Sequence, residues 1–173
     1  MNDSGKDHVV SKTPIDILSP EGTQLFETCG HIVHPGDDGV VYDPSSPFDC
    51  ELDLSQGTPR FYIMRLKNRG LGFDRITFHS HVTQCLSSGN VSEWFLGVSK
   101  PSYDVEKYPD LEKDVMVFRI PRGVIVKLHK ATWHAGPLFS DTEGDFFNLE
   151  LADTNVTDHN THVYVGTRCE LNM

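Results

Sequence analysis

The sequence has no long apolar run. Its longest are Val40-Val41-Tyr42, Phe61-Tyr62-Ile63-Met64 and Trp94-Phe95-Leu96-Gly97-Val98. These fall far short of the roughly 20 residues of a membrane-spanning helix, so no membrane partner is expected. Positive charge is also scarce: 15 Lys and Arg stand against 25 Asp and Glu, a formal net charge of -10. That argues against nucleic acid and anionic membrane surfaces, where a basic patch supplies most of the affinity. A small anionic substrate stays compatible, because a local cluster or a metal overrides the global field. The opening MNDSGKDHVV shows no basic stretch followed by an apolar one, so no secretory signal is read there. No C-x-x-C pair occurs among Cys29, Cys50, Cys85 and Cys169. Reduced thiols and a cytoplasmic location are the expectation. Finally, no segment of a dozen residues with helical periodicity separates the strands, which disfavours a parallel α/β architecture.

What the sequence does have is a succession of short apolar strands. Hydrophobic residues make up 38% and charged residues 23%, enough for a core. Residues 1–20 are polar, carry Pro14 and Pro20, and read as a mobile or loosely docked arm. Residues 21–173 read as one domain. A short helix is expected around 21–28, and 34–59 is rich in turn residues. Strands are expected over 61–67, 74–86, 93–98, 115–120, 124–129 and 145–151, with another starting at Trp133-His134. The tail beyond Asp153 reads as irregular. Closely spaced strands with turns between them and little helix indicate an all-β sandwich or barrel.

The most informative stretch is Ile76-Thr-Phe-His-Ser-His-Val-Thr-Gln84. Side chains alternate along a strand, so His79 and His81 would share a face and offer two nitrogens to one metal. Gln84 could add an oxygen. A second segment, from Pro121 to Pro137, carries Lys127, His129, Trp133 and His134. His134 would supply a third imidazole from an adjacent strand.

The order and separation of these segments resemble the two halves of a cupin motif: His-x-His with a later Gly turn, then Pro-x-Gly followed by one His. In the usual pattern an acid follows the first pair; here Gln84 stands in that place. The finer pattern is similar to that of the ureidoglycolate lyase family, also called ureidoglycolate hydrolases, in its plant-type form. The matching residues are His79…Thr83-Gln84…Gly89, then Gly123-Val124…His129…Trp133-His134…Pro137-Leu138, then Asp145-Phe146…Glu150. The resemblance spans roughly residues 58–152. It implies an antiparallel cupin-type β-barrel (a jelly roll) and a lyase that splits a carbinol–urea adduct into glyoxylate and urea. Bacterial members carry an arginine before the first His and after the final acid, where this chain has Phe78 and Leu151. Cations that could replace them are Arg60, Arg65, Arg75 and Lys127.

Splitting the adduct needs a base, a group that stabilises the developing oxyanion, and an acid for the leaving nitrogen. A divalent ion such as Zn, Mn, Ni or Fe on His79, His81, Gln84 and His134 could bind the substrate oxygens. Glu150 shares a strand face with Asn148 and Phe146, as a candidate base or as an ordinary ion-paired residue. Lys127 and His129 share another face. They either act on the substrate or line the solvated side while Val124, Val126 and Leu128 pack inward. Gln84, Trp133 and Tyr62 are candidate substrate contacts. The same groups would suit a cupin isomerase, epimerase or lyase acting on a specialised plant metabolite. A dioxygenase or a non-catalytic small-molecule-binding cupin also remains open. Edge strands of such folds favour a homodimer.

Overall fold

The run Trp94-Phe95-Leu96-Gly97-Val98 lies at the centre of the fold because both of its faces are covered. In the computed structural model, which describes residues 8–173, it forms most of β8 (Glu93–Ser99). The other strands in chain order are β1 (His8–Lys12), β2 (Ile15–Asp16), β3 (Gly30–Val33), β4 (Pro59–Lys67), β5 (Gly72–Phe73), β6 (Arg75–Phe78) and β7 (Gln84–Ser88). After β8 come β9 (Met116–Pro121), β10 (Ile125–Leu128), β11 (Trp133–Leu138), β12 (Glu143–Leu151), β13 (Asn160–Val163) and β14 (Thr167–Leu171). Two short helices complete the set, α1 (Pro20–Phe26) and α2 (Thr154–Thr157).

The chain is all-β. A five-stranded sheet runs β3-β10-β7-β12-β4, a six-stranded sheet β13-β6-β11-β8-β9-β2, and a three-stranded sheet β1-β14-β5. The pairings are antiparallel except β1 with β14 and β2 with β9. Alternation along β8 divides its side chains between two cores. Trp94, Leu96 and Val98 pack with Phe118, Leu86, Val126 and Phe146, between the five- and six-stranded sheets. Phe95 packs with Phe78, Trp133, Phe73 and Val10, between the six- and three-stranded sheets. A strand buried on both faces reads as continuous apolar sequence.

Three expectations are corrected. The first concerns the arm: residues 1–7 lie outside the described residues, but His8–Lys12 pairs with β14 and Val10 is buried in the second core. The apolar Val9-Val10 pair, flanked by residues that complete a ladder, outweighs the polar composition. Second, the tail beyond Asp153 is ordered as α2, β13 and β14. Third, the strand expected over 74–86 is broken. β6 belongs to the six-stranded sheet and β7 to the five-stranded one, and the chain crosses between them at 79–83. The amides that a continuous ladder would use are taken elsewhere. Ser80 N and His81 N donate to the Asp158 carboxylate, each at 2.8 Å, and Thr83 N donates to Asp53 O.

The expected helix is α1. Ser19 caps it by accepting from Gly22 N at 3.0 Å, and Pro20 opens its first turn. No helix among the described residues is long and apolar enough to cross a membrane.

Candidate functional site

The inner face of the five-stranded sheet changes character along its length. Leu86, Phe146 and Val126 form its apolar part. Two residues further along the same alternating faces stand Gln84 on β7 and Asn148 on β12, and two beyond that Glu150, all buried. Tyr62 joins them from β4, which pairs with β12 in register Asn148↔Tyr62.

These side chains form one hydrogen-bonded network. The Glu150 carboxylate accepts from Tyr62 OH at 3.0 Å, from Gln84 Nε2 at 3.0 Å and from Asn155 Nδ2 at 2.9 Å. α2 brings Asn155 back over Glu150. Gln84 Nε2 also donates to Asn148 Oδ1, and Asn148 Nδ2 donates to Tyr62 OH. Gln84 Oε1 is the one buried side-chain oxygen among the described residues without a partner. A buried acceptor left unpaired is costly.

The histidines come from the facing sheet. His79 follows the last residue of β6, and its Nδ1 bonds the carbonyl of Asp158 at 2.7 Å. His134 lies on β11, and its Nδ1 bonds the carbonyl of Thr132 at 3.0 Å. A carbonyl only accepts, so each imidazole carries its proton on Nδ1 and leaves Nε2 as a bare lone pair. The two rings are 5.0 Å apart between centroids, and His159 lies 5.6 Å from His79. Burial, opposed by the Asp158 carbonyl, lowers the His79 pKa. Burial, followed by the His79 neighbour, brings His134 down to about 3. Both rings are therefore neutral in ordinary conditions. Glu150 is close enough to bear on the charge of His79. His134 and His159 line a cavity of about 510 Å³ together with Thr77, Arg69 and Arg75.

Several sequence-predicted positions lie elsewhere. His81 is on the crossover, not on a strand, and its side chain is 52% exposed beside Asp158. It does not share a face with His79. Of the expected donors His79, His81, Gln84 and His134, His81 therefore stands apart from the paired rings of His79 and His134. No group of three or more His, Cys, Asp or Glu side chains among the described residues converges to hold a metal ion. Trp133 is buried against Phe78 in the second core, at 4.6 Å between ring centroids. It is adjacent to His134 and so points to the opposite side of β11.

Lys127 and His129 are on the outside of the five-stranded sheet. Val126 and Leu128 take the inner face, while Lys127 Nζ contacts His129 Nδ1 at 3.3 Å and His129 Nε2 reaches the carbonyl of Glu27. Of the candidate cations, Arg65 is bound to Asp145, Arg60 stacks over the Tyr62 ring at 3.7 Å, and Arg75 lines the cavity while pairing with Asp74.

Sequence reasoning missed Asp158, Asn155 and His159. All three lie in the stretch taken for an irregular tail. Asp158 is the most consequential, since its carboxylate accepts from Ser80 N, Ser80 Oγ, His81 N and Asn160 Nδ2 and so fixes the corner that presents His79. No protein-family model matches the chain, and no curated protein matches it.

Proposed function

We propose that the two larger sheets form a cupin-type barrel and that the chain is a lyase of the ureidoglycolate lyase kind. It splits a carbinol–urea adduct into glyoxylate and urea. The observation that carries this reading is the pair of buried neutral imidazoles, His79 and His134, each locked to a backbone carbonyl through Nδ1. A neutral imidazole of this kind offers a lone pair that takes a proton and, once protonated, returns it.

In this reaction the hydroxyl proton leaves, the carbonyl of glyoxylate forms, the carbon–nitrogen bond breaks, and the urea nitrogen takes a proton. The bare Nε2 of His79 accepts the hydroxyl proton, and the proton is returned to the departing nitrogen. Gln84 Oε1, which has no protein partner, is assigned to a urea N–H once the buried network opens to substrate. Glu150, committed to three donors, orients Gln84 and Tyr62 instead of serving as the base.

A divalent ion, were one bound, would be held by His79 and His134, which come together, while His81 stands on the exposed crossover. No step is routed through an ion.

The test is release of glyoxylate from ureidoglycolate by the purified chain. Turnover is expected, with a loss of about a hundredfold or more in His79→Ala and in His134→Ala. A well-folded wild-type protein that releases no glyoxylate overturns the reading.

A further inference from the structure

The outer face of the five-stranded sheet carries a second group of reactive side chains that the proposed reaction does not use. Alternation turns Cys85 outward, since its neighbours Gln84 and Leu86 point in. Cys85 is held on both sides in the ladder, opposite Lys127 on β10 and opposite Leu149 on β12. Lys127 is itself buried there and has no carboxylate partner among the described residues. Cys50 comes from residues 34–58, which hold no strand or helix, and is close enough to Cys85 to bear on its thiol. Both thiols are free and part-exposed, and both line one apolar cavity of about 440 Å³ on this face, with Leu52, Phe61 and Phe147.

We propose that Cys50 and Cys85 form a reversible disulfide when the protein meets a peroxide. The fixed strand sets one sulfur, and the loop supplies the freedom that the dihedral angle of the bond requires. Burial, and then the Cys50 neighbour, push the Cys85 thiol up to about 12, with Lys127 pulling the other way. Cys85 is thereby protected from oxidation on its own, because the thiolate is the reactive form. Cys50 takes the first step. Its sulfur attacks hydrogen peroxide, the O–O bond breaks, and a sulfenic acid and one water result. The Cys85 thiol, giving its proton to the departing hydroxide, then displaces that oxygen as a second water, and the S–S bond forms. Two thiols are oxidised, and one peroxide is reduced to two waters. The product ties the long loop to the strand that begins with Gln84.

The experiment treats the intact protein with hydrogen peroxide and maps its peptides without reduction. The expected result is a loss of two titratable thiols, a peptide pair joining residues 50 and 85, and recovery of both thiols with dithiothreitol. The unfolding midpoint should rise by several degrees on oxidation and fall back on reduction. Neither the linked peptide nor the shift should occur in Cys50→Ser, a loop variant that leaves the sheet intact. Cys29→Ser and Cys169→Ser should behave as wild type. A linkage to any other cysteine, a linkage only between two molecules, or irreversible oxidation without the 50–85 peptide overturns the proposal.

Discussion

Asp158 shows how much one side chain can hold. Its carboxylate is nearly inaccessible, and burial alone would raise its pKa. The Ser80 hydroxyl and amide and the His81 amide outweigh that and hold it below the usual value. Asp158→Ala would leave those buried donors unpaired, and we expect a loss of about 3 kcal/mol in urea unfolding. It should also loosen His79, because the same residue's carbonyl fixes that ring. The two imidazoles set the pH response. His134 has a folded pKa of about 3, below the ~6.5 of an unfolded imidazole. Between those values the unfolded chain carries the proton and the folded one does not. Stability therefore falls as pH drops through that window, by up to about 1.4 kcal/mol per pH unit for this one group. His134→Asn should flatten the slope of the urea midpoint between about pH 6 and about pH 4.5. An unchanged slope would contradict the neutral buried ring.

At the scale of elements, strand pairing makes its strictest demand where β3 meets β10. Gly30 lies opposite Leu128, and a Cβ there would run into the carbonyl oxygen of Lys127 and within 2.9 Å of the Phe26 ring. Gly30→Ala should cost about 3 kcal/mol or more, read as a drop in the unfolding midpoint, because neither the ladder nor the docked helix can yield. The same scale decides what the sequence disclosed. β8 and the inner face of β12 were legible because their signals are local: a continuous apolar run, and Phe146, Asn148 and Glu150 spaced by two. The break after Phe78 was not legible. Nothing between residues 74 and 86 announces it, since the acceptor that captures Ser80 N and His81 N is Asp158, far along the chain. Alternation was sound as a rule for Trp133 and His134, but it could not say which of two cores each would face. It failed for His79 and His81 because the strand was gone.

At the scale of the whole molecule, two cores share the six-stranded sheet, and the second depends on the chain's opening strand. Val10 packs with Phe73, Leu111 and Cys169. Val10→Asp should lower stability by about 3 kcal/mol, seen as a reduced thermal midpoint, by burying a charge without a partner. A docked arm without structural weight would leave the midpoint unchanged. The pairing of β1 with β14, His8↔Thr167 to Lys12↔Leu171, joins the earliest described strand to the latest. During synthesis the first of these leaves the ribosome well before the second exists, an interval on the order of ten seconds. For that time Val10 has no ladder to join and the second core stays open on one side. Until β14 is made, this seam is where a chaperone or a neighbouring chain would find the nascent chain unguarded.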